Sequence, residues 1–182
     1  MAAAAVSLVL AGCQSTPTSG PTPQGRSKSA SGVQSTVPPA AGGSCHARPG
    51  PLPDPVCTPG AVNSDVTQAN IKDTVCKSGW TATIRPPTSY TNKLKTQGIA
   101  AYGYKDTDLR SYEEDHLISL ELGGSPDDPK NLWPEPGASP NAKDKVENDL
   151  KSAICSGRAK LVDVQKAIAT DWTTAEQVLG IG

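Results

Sequence analysis

Asp115 and His116 stand side by side at the head of a short apolar run, Leu117 to Leu122, that closes on Gly123-Gly124. Sixteen residues beyond Asp115 comes Asn131, which opens a second apolar stretch, and ten further on comes Asn141. His116 is one of only two histidines in 182 residues. An imidazole titrates near neutrality and is the side chain best suited to general-base work at physiological pH. A carboxylate beside it can ligate a hard, oxygen-preferring cation such as Mg²⁺. Together they suit phosphodiester hydrolysis, which needs an activated water, a cation to offset charge on the phosphorus oxygens, and a group to orient the base. Neighbouring side chains of a strand point to opposite faces, so the pair converges only where the strand ends or bends. A distortion is therefore expected at 115–116.

The elements that must position these residues read as strand, turn, strand, helix. Tyr112 to Leu122 is expected as a strand, Gly123 to Lys130 as a loop, and Asn131-Leu132-Trp133 as a second strand closed by Pro134. Ser139 followed by Pro140 has the residue types of a helix cap and first turn. Val146, Leu150, Ala153 and Ile154 form the apolar stripe of that helix, which breaks at Gly157. A last helix runs from Leu161 to Thr170, with Trp172 near its end and a short helical tail beyond. Upstream, residues 45–62 are Pro- and Gly-rich and irregular. A helix capped by Ser64 or Asp65 is expected through Val66, Ile71 and Val75 to Gly79. Trp80 to Arg85 alternates like a strand and is stopped by Pro86-Pro87. Ser89 caps a further helix through Leu94 toward Ile99. The expected class is α+β, a hairpin-plus-helix centre with flanking helices. Trp133 and Trp172 are expected in the core, His46 at the surface, and Glu113 and Glu114 on solvated strand edges.

The layout Asp115-His116, LISLELGG, NLWPEP and a helix beginning with Asn141 resembles the HNH (ββα-metal) endonucleases. DHLISLELGG with NLWPEP and KDKVEN is most similar to small exported bacterial proteins that carry an HNH-type nuclease motif. The resemblance covers about residues 55–172, with the motif at 112–156. It implies His116 as the general base and Asp115 and Asn141 as ligands of one divalent metal, Mg²⁺ first, with Mn²⁺ or Zn²⁺ as alternatives. It makes Asn131 the residue that steadies the inter-strand loop and the imidazole. Lys143, Asp144, Glu147 and Glu121 are the further candidates for phosphate contact or support of the metal. The implied activity is cleavage of DNA or RNA with little sequence preference. The rival reading is a non-catalytic envelope module on the same scaffold.

Met1 to Cys13, MAAAAVSLVLAGC, is an apolar segment too short to span a bilayer and ending in Leu-Ala-Gly-Cys. It resembles a bacterial lipoprotein signal, which implies lipidation of Cys13 and a membrane anchor. Residues 14–44 are a Ser/Thr/Pro/Gly tether that lacks the apolar groups to fold. The domain is expected over 45–182. Setting Cys13 aside leaves Cys45, Cys57, Cys76 and Cys155, an even number that reads as two disulfides of an exported protein. Three connectivities remain open. Without a Cys-x-x-Cys pair, the same four are poorly spaced for zinc.

Net charge is −1, and Arg26 and Lys28 are the only charged side chains before residue 45. The domain is thus mildly acidic, which argues against a strongly basic nucleic-acid surface. Lys77, Arg85, Lys93, Lys95 and Lys105 do form an acid-free stretch from Thr74 to Lys105 that can meet phosphates or anionic polymers.

Overall fold

The computed structural model describes residues 43–181. The signal-like segment with Cys13 and the tether up to residue 42 lie outside the described residues. The domain is α+β, with one two-stranded antiparallel sheet and two disulfides. Its elements are α1 (Trp80–Ile84), α2 (Thr88–Ala101), β1 (Tyr112–His116), β2 (Leu132–Pro136), α3 (Ala142–Cys155), α4 (Leu161–Asp171) and α5 (Ala175–Leu179). Among the described residues no helix is long and apolar enough to cross a membrane.

The hairpin is the centre of the fold. β1 and β2 pair so that Tyr112 opposes Pro136, Glu113 opposes Glu135, Asp115 opposes Trp133 and His116 opposes Leu132. Alternation places Glu113 and Asp115 on one face with Glu135 and Trp133, and Glu114 and His116 on the other with Pro134 and Leu132. α2 seats on the second face at very short range. A Cβ at Gly98 would lie 2.6 Å from Pro134 Cδ, so only glycine allows the approach. α3 begins over the first face and then turns its apolar side to the main core.

That core joins Val66, Ile71, Val75, Leu122, Leu150, Ile154, Val164 and Ile168, with Trp172 at its edge. Each fully buried branched side chain here stabilises the fold by about 1.5–3 kcal/mol. A smaller cluster of Cys45, Tyr102 and Trp133 packs beneath the hairpin. Both tryptophans named above are therefore core residues, at 1% and 6% exposed. Cys45 pairs with Cys57, tying the irregular entry, and Cys76 pairs with Cys155 at the end of α3. The two disulfides indicate an oxidising compartment.

Several elements differ from their sequence reading. Residues 65–78 are a chain of turns rather than a helix. Asn70 accepts from the Thr67 amide and donates to the Asp65 carbonyl, and Thr74 donates to the Asn70 carbonyl. These side chains offer the backbone local partners that compete with a helical ladder. Val66, Ile71 and Val75 reach the core all the same. Trp80–Ile84 is helical, not a strand. Six alternating residues cannot separate the two periods, and Thr83 Oγ1 donates back to the Trp80 carbonyl. β1 ends at His116 instead of Leu122, and Leu120–Leu122 forms one tight helical turn. β2 continues through Pro134 to Pro136, because a two-stranded sheet leaves an open edge where a missing N–H costs nothing. α3 is capped by Asn141, not Ser139.

Candidate functional site

Asn131 explains why β1 stops where it does. It is fully buried, and its amide makes bonds on both sides. Oδ1 accepts from the Ile118 amide at 3.0 Å and the Ala61 amide at 3.4 Å, while Nδ2 donates to the carbonyls of Ile118 and Ser125, both at 2.9 Å. A side chain thus takes the backbone groups that further strand pairing would need. Gly124 completes the turn, since a Cβ there would sit 1.7 Å from the Ile118 carbonyl oxygen. The loop from Leu117 to Asn131 is pinned from inside.

His116 closes β1 at the mouth of that loop and is 8% exposed. Its Nε2 lies 2.9 Å from the Pro126 carbonyl oxygen. A carbonyl can only accept, so Nε2 carries the hydrogen and Nδ1 keeps the lone pair. Burial lowers the imidazole pKa, the Pro126 carbonyl and Asp115 act the other way, and Arg85 and Lys143 lower it further. The result is a neutral base of defined tautomer. Arg85 is exposed, just after α1.

Asp115 points to the other face and meets different partners. Its Oδ1 accepts from Lys143 Nζ at 3.0 Å and its Oδ2 from the Trp133 indole at 3.2 Å. Lys143 is 1% exposed. Its ammonium also donates to the His116 carbonyl at 2.9 Å and forms a close ion pair with Glu147, one turn along α3. Burial opposes that charge, but Asp115 and Glu147 outweigh it and hold the Lys143 pKa above the usual lysine range. Burial pushes the Glu147 carboxyl upward, with Lys143 opposing and Asp115 adding to the rise. The buried side of α3 therefore starts with an ion pair, Lys143 and Glu147, before passing to Leu150 and Ile154. The apolar stripe read from Val146 begins one turn too late, because Lys143 carries its charge to carboxylates on the strand.

Asn141 has a capping task. Its Oδ1 accepts from the Lys143 amide at 2.8 Å, and Asp144 accepts from the Asn141 amide, a reciprocal capping box. Its Nδ2 lies 3.3 Å from Glu113 Oε2. Glu121 pairs with Lys151 at 2.9 Å, away from the hairpin. The structure thus groups Asp115, Lys143 and Glu147, places His116 on the opposite face, and sets Asn131 in the loop and Asn141 at the helix cap.

A divalent ion between Asp115 and Asn141 does not fit this arrangement. The oxygens it would use are engaged by an ammonium, an indole and a backbone amide. Among the described residues, no three His, Cys, Asp or Glu side chains gather closely enough to hold a metal ion.

Three acids gain importance that the sequence did not signal. Glu114 is largely shielded rather than solvated, its Oε2 has no partner, and burial raises its pKa to about 8, with Lys95 opposing. Glu135 is 3% exposed with an unpartnered Oε2, and burial followed by Asp115 raises it to about 8. Glu113, its cross-strand partner, is also raised, first by burial and then by Asp115. The strand register carries the available signal: 113 and 135 are directly opposed once the hairpin is aligned. Lys95, read as part of a phosphate-facing stretch, donates to the carbonyls of Leu109 and Tyr112 and ties α2 to the hairpin.

Compared with known protein families, curated proteins and solved structures, the chain finds no match.

Proposed function

We propose that the domain is a phosphodiester hydrolase of the HNH type, acting on DNA or RNA with His116 as general base. The observation that carries this reading is the Nε2 contact of His116 with the Pro126 carbonyl, which leaves Nδ1 free to accept a proton. In the proposed step a water oxygen attacks phosphorus while its proton passes to Nδ1. The bond from phosphorus to the leaving oxygen breaks, and that oxygen takes a proton from solvent. Arg85, an exposed cation whose charge reaches His116, is the proposed phosphate contact. Asn131 keeps the loop bearing Pro126 in register, and so keeps the imidazole turned correctly. No step is assigned to a resident metal, since Asp115 and Asn141 have their oxygens engaged.

The test incubates the purified chain with supercoiled plasmid and with single-stranded RNA, with chelator or with Mg²⁺ or Mn²⁺, beside His116→Ala. Nicking or cleavage that His116→Ala abolishes supports the reading. Inactivity under every condition, or equal cleavage by both proteins, rejects it.

One observation favours the rival, a non-catalytic module on the same scaffold: His116 is buried and its neighbour Asp115 is committed to Lys143. Retention of nucleic acid without cleavage would fit that reading. We also propose attachment to the outer side of a membrane through lipid on Cys13. Metabolic labelling with a fatty acid tests it, and a Cys13→Ser chain should take up none.

A further inference from the structure

The Lys143 ammonium has three oxygen neighbours: Asp115 Oδ1 at 3.0 Å, the His116 carbonyl at 2.9 Å and Glu147 Oε1 at ion-pair range. Two are carboxylate oxygens and one is a backbone carbonyl, the donor set a hard cation takes. The group lies in the seam between β1 and the first turns of α3, and Lys143 is 1% exposed. Its stem comes from the helix, so the charge is delivered from α3 to the strand on a fixed tether.

We infer that Lys143 supplies, as a covalently held ammonium, the positive charge that a divalent ion would otherwise bring to Asp115. A lysine ammonium and a divalent ion cannot share these oxygens. At about 3 Å their mutual repulsion in a water-poor seam is severe. While Lys143 is in place, the site therefore takes up no divalent cation. Once it is shortened, Asp115 and Glu147 face a gap that a cation can fill.

Glu113 and Glu135 oppose each other one position along the same face; the Asn141 amide donates to Glu113, and Glu135 Oε2 has no partner. The ammonium at Asp115 remains the only cation bonded to the strand carboxylates among the described residues. Lys143 is also distinct from Lys145, which pairs with Asp149 at the helix surface and is largely exposed.

The inference rests on the hairpin being the working site. Its test reads cation uptake instead of turnover, so it and the hydrolase reading can fail separately. Mn²⁺ is titrated into the isotope-labelled full chain and paramagnetic broadening of the Asp115, His116 and Lys143 signals is followed. The native protein is expected to show no broadening centred on Asp115, and the same melting midpoint in chelator and in Mn²⁺. Lys143→Ala is expected to bind Mn²⁺ at this position, with broadening centred on Asp115 and a midpoint that rises with the metal. Stoichiometric broadening centred on Asp115 in the native chain overturns the inference. So does a folded Lys143→Ala that takes up no Mn²⁺, for the three oxygens would then be a lysine cradle alone. Should Lys143→Ala fail to fold, the native chain decides the matter by itself.

Discussion

His116 Nε2 and the Pro126 carbonyl oxygen are 2.9 Å apart, across the loop that joins the two strands of the hairpin. The contact fixes which ring nitrogen carries the hydrogen, and burial, against the pull of that carbonyl and of Asp115, holds the imidazole pKa below the ordinary 6.5. The sign of the linkage follows. An unfolded histidine binds a proton below pH 6.5 and the folded one resists it. The stability linked to neutral His116 is complete above pH 6.5 and is lost as pH falls from there through the lower folded pKa. Urea midpoints between pH 8 and pH 5 should therefore drop more steeply in the native chain than in His116→Asn. Equal slopes would place the imidazole in solvent.

Glu135 works in the opposite direction. Its carboxyl is raised from 4.5 to about 8, by burial first and then by Asp115, with Lys143 opposing. The folded state keeps a proton that the unfolded state has released. The stability from neutral Glu135 is complete below pH 4.5 and is lost as pH rises through about 8. Glu135→Gln is neutral at every pH and should be more stable than the native chain at pH 9 by about 1–2 kcal/mol. The difference should shrink on going to pH 5. A constant difference across that range would show that Glu135 ionises normally.

Asn131 makes four hydrogen bonds from full burial, and replacing it leaves the Ile118 amide and carbonyl without partners. Asn131→Ala should cost about 2–4 kcal/mol in urea unfolding. Asn131→Asp should cost more despite its near-identical shape, because a carboxylate would face the carbonyl oxygens of Ile118 and Ser125. A milder effect of Asp than of Ala would mean that these two carbonyls do not face the side chain.

The Cys76–Cys155 bridge closes a sequence separation of 79 residues. Loop-closure entropy assigns such a bridge about 4 kcal/mol. Cys76→Ser with Cys155→Ser should therefore lower stability more than Cys45→Ser with Cys57→Ser, whose separation is 12. Calorimetry or urea titration of the two double variants gives the order.

The legible parts of the chain were those with repeated, local cues. The Gly-Gly turn between apolar runs marks a hairpin, and the stripe through Leu150 and Ile154 marks a core helix. Cysteine parity points to two bridges, but their pairing depends on where α3 ends and waits for the fold. Residues 65–78 misled because Ile71 and Val75 lie a helical four residues apart while Asn70 and Thr74 satisfy the backbone as turns. The wiring of charge at the hairpin was the least legible. Nothing local tells whether Lys143 turns to solvent, to phosphate or inward to Asp115. That choice depends on the distance between a helix cap and a strand, which only the tertiary arrangement sets. Glu114 and Glu135 were hidden likewise, since acids on a short strand resemble surface residues until helices cover both faces.

The same Cys76–Cys155 bridge makes a covalent ring of α1, α2, the hairpin and α3. A protease that severs one exposed loop inside the ring, such as the turn near Asp106, would leave both pieces joined. A single cut in that ring would be visible on a gel only after a reductant is added.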